Sequence, residues 1–128
     1  MSFKLLGLGA AVLSNVALAL DSPPFTIDPA TRSFRDANGR HTIFHGVNAV
    51  YKVDPYIPDD AEFHSQHSMT IEDMEHLRKW GMNFVRFGVM WEAVEKSPGV
   101  YDDEYLERIR VMINQMGERG LFVLVDMH

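Results

Sequence analysis

Three short apolar runs divide this chain, and what lies between them limits the folds it can take. They are IFHGVNAVY (residues 43–51), the run from Phe84 to Met90 inside NFVRFGVMWEAVE (83–95), and LFVLVDMH (121–128). Each is too short for a helix and rich in β-branched or aromatic residues, so each reads as a strand. Two helical stretches separate them. Thr70 can cap the first, with Asp73 three residues on in capping-box position. Ile71, Met74, Leu77 and Arg78 follow on one stripe, and Gly81 stands where a helix stops. Ser97-Pro98-Gly99 then turns the chain, and Asp102 can cap a second helix. Leu106, Ile109, Met112, Ile113 and Met116 recur at helical spacing up to Gly120. The strands begin about forty residues apart, within the range of βα units with decorated loops. Near-continuous apolar strands alternating with amphipathic helices predict a parallel sheet with helix-covered faces, and Met74 and Trp80 are expected in its core.

The flanking segments are of other kinds. Lys4, the apolar stretch from Leu5 to about Leu13 and the small-residue site Ala17-Leu18-Ala19 have the layout of a signal peptide. Residues 1–20 are therefore expected to be cleaved, giving a secreted or endomembrane-luminal product. Residues 21–30, with Ser22-Pro23-Pro24, are expected to be a linker. A hairpin follows, with strands around Phe25–Ile27 or Arg32–Arg35 and then His41–Phe44, turned by Asp36-Ala37-Asn38-Gly39. From Lys52 to Ser68 the chain is polar and broken by prolines, so a long loop is expected. The formal net charge of −6 offers no basic face for nucleic acid. The chain has no cysteine, which removes any disulfide framework.

One residue does not fit an apolar strand. Arg86 lies in the middle of the second run, and a guanidinium keeps its charge at any ordinary pH. Buried without a partner it would be very costly, so it must meet an anion or stand at the open end of the sheet. Alternation puts Val85, Phe87, Val89 and Trp91 on one face and Phe84, Arg86, Gly88 and Met90 on the other. In a closed barrel the first set would pack beneath the helices, and the second would point inward. A doubly wound sheet remains open on pattern alone, but neither G-x-G-x-x-G nor G-x-x-x-x-G-K-[ST] occurs to support nucleotide binding.

FRDANGRHTIFHGVN (34–48), WGMNFVRFGVMWEAVEKSPGVYDDEYLERI (80–109) and GERGLFVLVDMH (117–128) together resemble glycoside hydrolase family 5, retaining β-glycosidases on the (β/α)8 barrel. GVNAVYK and VDMH are most similar to the branch that contains endoglycoceramidases and glucosylceramidase-related enzymes. The resemblance implies an α/β fold in which residues 31–128 form an N-terminal hairpin and the first three strands of the barrel. It implies hydrolysis of O-glycosidic bonds, of glycosphingolipids before β-glucans, with no cofactor. The partner implied is a carbohydrate or glycolipid substrate, including glycolipid at a membrane surface. By the same resemblance Arg86 holds the nucleophilic carboxylate, His128 borders the reacting sugar and Lys52 hydrogen-bonds it, while Asn48 and Trp91 contribute nearby. A cation beside the nucleophile keeps it ionised. Retaining cleavage also needs two carboxylates about 5–5.5 Å apart, which in this family follow the fourth and seventh strands. The third strand is the last one read here, and a full barrel takes about 250 residues, so the chain is expected to be part of a longer protein. Asp126 and Glu92 do not match the two catalytic positions.

Other readings stand beside this one. Arg86 can be a structural cation paired with Asp126 on the adjoining strand. Asp126 and His128, in D-x-H spacing, can hold a metal together with His64 and His67. A non-catalytic carbohydrate-binding barrel is a third reading, and the acidic loop from Asp54 to Glu62 can simply be solvated.

Overall fold

The computed structural model describes residues 25–128; the expected signal peptide lies outside the described residues. The chain divides into two units, up to Thr42 and from Ile43 onward. In the first, β1 (Phe25–Asp28), β2 (Ser33–Asp36) and β3 (His41–Thr42) form an antiparallel sheet in that order. The segment expected to be a linker thus becomes a strand from Phe25 onward. Phe25 pairs with Asp36 across β2, and its ring meets Phe34 edge-on at 5.6 Å. Arg35 donates from Nε to Asp28 Oδ2 at 2.8 Å. Both candidate positions for the first hairpin strand are therefore used, one in β1 and one in β2.

The second unit begins with β4 (Gly46–Ala49), α1 (Ile71–Lys79) and β5 (Phe84–Val89). The four-residue helix α2 (Trp91–Val94) follows, then the two-stranded ribbon of β6 (Glu95–Ser97) and β7 (Val100–Tyr101) around the expected Ser97-Pro98-Gly99 turn. The long helix α3 (Asp103–Glu118) leads into β8 (Phe122–Met127). β4, β5 and β8 form a three-stranded parallel sheet with β5 in the middle, so the fold is mixed α/β with the expected parallel order. β4 is shorter than the apolar run that contains it. Gly46 is essential where the strands first meet, because a Cβ there would lie 1.6 Å from the Phe84 carbonyl oxygen. Asn83 holds the lead-in: its side chain accepts from His45 N–H and donates to the Ile43 carbonyl, each at 2.9 Å.

The core lies between the helices and one face of this sheet. Val85, Phe87 and Val89 of β5 pack with Met74 and Leu77 of α1 and with Ile109, Met112 and Met116 of α3. Each side chain fully removed from water there contributes about 1.5–3 kcal/mol. Met74 is buried as expected, but Trp80 is 66% exposed and stacks on His76 at 5.7 Å. It lies just past the end of α1, where the stripe no longer faces the sheet. Trp91 also leaves the core face: it starts α2 and is 50% exposed. Among the described residues no helix is long and apolar enough to cross a membrane.

Both helix starts form as expected. The Thr70 hydroxyl accepts from Asp73 N–H at 3.2 Å, and the Asp73 carboxylate accepts from Thr70 N–H at 2.9 Å. Asp102 Oδ1 accepts from Tyr105 N–H at 2.9 Å. Burial opposes the charge of Asp73, but the Thr70 N–H and the hydroxyls of Ser68 and Thr70 outweigh it and hold the carboxyl below its usual range. A lowered folded pKa gives stability that is present above the ordinary carboxylate value and lost as pH falls through the folded one. Asp73→Ala is expected to cost about 1 kcal/mol at neutral pH. It should also flatten the fall in Tm between about pH 5 and pH 3. Thermal melts of both proteins across that range measure this, and parallel curves would refute it.

Candidate active site

In the parallel register Asn48 lies beside Arg86, which lies beside Leu124, and Gly88 lies beside Asp126. These positions share the face turned away from the helix-packed core, because side chains alternate along each strand. Arg86 finds its anion here. Its Nη2 donates to Oδ2 of Asp126, one register step further along β8. Gly88 lies directly beside Asp126 in the register and carries no side chain. A Cβ at Gly88 would lie 2.8 Å from Val50 Cγ1 and 3.1 Å from Met90 Cε, so neighbouring side chains already fill the space it would need.

His128 joins the same oxygen. Its Nε2 lies 2.8 Å from Asp126 Oδ2 and 3.5 Å from Arg86 Nη2. The two contacts are unequal in kind. A guanidinium only donates and an ionised carboxylate only accepts, so a hydrogen on Nε2 serves the shorter bond. The longer distance follows from two donors converging on one oxygen. His128 is also tied to β5 through its backbone: its N–H donates to Val89 O at 2.9 Å, and its carbonyl accepts from Trp91 N–H at 2.8 Å. The side chains of Arg86, Asp126 and His128 remain 36%, 30% and 23% exposed. The trio is therefore open to a ligand, and the ion pair adds little to stability in such a setting.

The structure gathers the other predicted residues less closely. Asn48 is exposed beside Arg86, with no side-chain hydrogen bond among the described residues. Lys52 is exposed in the loop after β4 and pairs with neither Asp54 nor Asp59. Asp59 instead accepts from Ala61 N–H at 2.8 Å and lies 3.5 Å from His64. His64 and His67 stack on each other at 4.3 Å. Among the described residues no three histidines, aspartates or glutamates gather as a metal site, so the D-x-H pair and the loop histidines do not form one set.

Two features of the site were not read from the sequence. Gly88 looked like an ordinary glycine in a strand, although strand glycines often mark close approach. Tyr105 lies outside the stripe read for the second helix, yet its buried hydroxyl donates to the Tyr56 carbonyl at 3.0 Å and accepts from Met90 N–H at 3.3 Å. It joins the long loop after β4 to the end of β5. Burial pushes its phenol above the usual range. Tyr56 has a left-handed backbone, with φ of 61°, which non-glycine residues adopt only when their surroundings hold them.

Residues 36–128 match the family model described as cellulase, glycosyl hydrolase family 5. The chain is 31% identical to an endoglycoceramidase of Cyanea nozakii over 127 residues, covering 98% of this chain and 25% of that protein. It is 36% identical to a glucosylceramidase of Cryptococcus neoformans over 115 residues, covering 80% of this chain and 16% of that one. The solved endo-glycoceramidase II of Rhodococcus sp. in complex with ganglioside GM3 superposes with a TM-score of 0.52 at 34% identity. That match covers 73% of this chain and 20% of the other. The chain thus spans a quarter or less of the length of each of these relatives.

Tyr105→Phe should leave the Met90 N–H and the Tyr56 carbonyl without the bonds seen here, at a cost of about 1–3 kcal/mol. Hydrogen exchange is expected to quicken in residues 52–68 and stay unchanged within α3. An unaltered melting temperature, or faster exchange throughout α3, would show that the hydroxyl does not hold the loop.

Proposed function

Because the chain belongs to glycosyl hydrolase family 5, we propose that it supplies the first three strands of a (β/α)8 barrel in a retaining β-glycosidase that cleaves glycosphingolipids. The observation that carries this reading is the grouping of Arg86 with His128 beside Asp126, on one face of a parallel sheet toward the strands' carboxyl ends. Barrel enzymes build their sites at that end. Arg86 Nε and Nη1 make no hydrogen bond among the described residues, so they can meet a second carboxylate. In this reading that carboxylate is the nucleophile, contributed by a later strand as is the acid/base. A fixed positive charge beside it favours its ionised form. His128 borders the sugar, Lys52 donates to its hydroxyls, and Asn48 and Trp91 line the same strand ends. The glycolipid preference rests on the relatives' names and on the ganglioside complex of one of them.

The test is hydrolysis by the full-length protein containing this chain, on ganglioside GM3 and on a plain β-glucan, with the product anomer followed by proton NMR. Release of the intact glycan with retained configuration supports the reading. Turnover of the glucan alone would move the activity to the cellulase side of the family, and inverted product would exclude the double-displacement mechanism. No turnover of either substrate would favour a carbohydrate-binding barrel.

Within that enzyme Arg86→Ala is expected to lower kcat by orders of magnitude. Arg86→Lys should recover little, since a compact ammonium cannot replace a planar fork of donors. Full turnover in either variant would remove Arg86 from the mechanism. Lys52→Met should lower kcat/KM on the glycolipid about ten- to a hundredfold, the worth of one charged hydrogen bond to a hydroxyl. Its Tm should not change, because Lys52 is exposed and makes no ion pair among the described residues. Unchanged efficiency on the glycolipid would return Lys52 to the solvated surface.

A further inference from the structure

We infer that Asp126 is a positioning residue: it fixes the tautomer of His128 and the reach of Arg86 through a single oxygen. This deepens the proposed function and rests on it for the identity of the reaction, although the inference itself concerns atoms in this chain.

The argument starts from hydrogen count. Oδ2 of Asp126 accepts from Arg86 Nη2 and stands 2.8 Å from His128 Nε2. An ionised carboxylate has no hydrogen to give, so the 2.8 Å bond requires the hydrogen on Nε2. In a neutral imidazole, hydrogen on one ring nitrogen leaves the other as an acceptor. Nδ1 makes no hydrogen bond among the described residues. It is thus the atom His128 presents to a ligand, and in its neutral form it accepts from a hydroxyl. Without Asp126 only the intrinsic preference of the ring would remain, because among the described residues the other side chain in reach of Nε2 is the donor Arg86 at 3.5 Å.

The same oxygen decides what Arg86 offers. With Nη2 turned to Asp126, the guanidinium is anchored at one corner and points Nε and Nη1 elsewhere. A free arginine side chain would sample many rotamers, and anchoring it removes that freedom before a ligand arrives. The backbone makes the anchor precise. Asp126 sits within β8, and His128 is bonded at both N–H and carbonyl to residues at the end of β5. The carboxylate and the two groups it orients are therefore carried by adjacent, paired strands.

Two substitutions separate this role from a purely structural one. Asp126→Leu removes the acceptor, while Asp126→Asn keeps an amide oxygen that can still accept from both donors. The experiment is done on the full-length protein containing this chain, with 15N-labelled histidine. Two-bond proton–nitrogen spectra of His128 report which ring nitrogen carries the hydrogen. In the wild type the signature should be that of Nε2–H, and it should persist in Asp126→Asn. In Asp126→Leu the two nitrogens should move toward averaged positions. On the glycolipid, kcat/KM should fall at least tenfold more in the leucine variant than in the asparagine variant. A wild-type Nδ1–H signature, or an Nε2–H signature unchanged in Asp126→Leu, would overturn the inference, as would equal losses in the two variants. If Asp126→Leu does not fold, the wild-type spectrum still decides, because averaged or Nδ1–H nitrogens there refute the assignment. Absence of glycosidase turnover in the wild type would overturn the proposed function, while the spectra would still decide the role of Asp126.

Discussion

The site depends on the parallel register that sets Gly88 beside Asp126. Arg86 carries a permanent charge into a strand whose other residues are apolar, and neither of its register partners, Asn48 and Leu124, carries a charge to meet it. The anion, Asp126, lies one step further along the same face of β8. A slip of one residue would turn Asp126 toward the helices and set Arg86 beside Val123 or Val125. The alternation that buries Val85, Phe87 and Val89 is thus the same feature that brings Arg86, Asp126 and His128 together. Packing on one face of the sheet sets the chemistry on the other.

The ion pair is better understood as orientation than as stability. Arg86 and Asp126 are each about a third exposed, and at that exposure a pair gains little over its solvated partners. What it gains is direction: a planar donor fork with one corner anchored and an imidazole with one nitrogen occupied. The helix-packed side supplies the rigidity behind this. Met74, Phe87, Met112 and Met116 are fully buried, and Asp73 and Asp102 close the helix starts that carry them. Tyr105 then reaches from α3 to the loop after β4, so the segment bearing Lys52 is tied at Tyr56 to the layer that supports the sheet. Loops can carry specificity only when a scaffold holds them, and here the Tyr105 hydroxyl adds one such tie to the burial of Ile57 and Met69.

Much of this architecture was legible in the residues, because its causes are local. Three apolar runs too short for helices, two stripes at helical spacing, Thr70 with Asp73, Asp102, Gly81 and Gly120 all act within a few residues of themselves. They produced the strand and helix order and the helix starts as expected. The family resemblance carried Arg86 and His128 into a site, and the D-x-H spacing already placed Asp126 and His128 on one side of a strand. The misreadings share a cause as well. Trp91 was assigned to the core by extending the alternation two residues past the strand, where the chain turns into α2. Trp80, expected in the core, lies at the cap of α1 where the helix ends, and is exposed. Periodicity describes an element only while the element lasts.

The sequence by itself determined the alternation of strands and helices, the ends of the helices and the presence of one charge that an apolar strand could not leave alone. Only the tertiary structure decided which anion meets it. It also decided that one oxygen serves both Arg86 and His128, and that Tyr105 clasps a loop 49 residues away in sequence. The physical reason is range. Caps, turns and periodicities are settled between neighbours, whereas register, close approach and shared hydrogen bonds are settled between strands whose partners lie 38 to 42 residues apart.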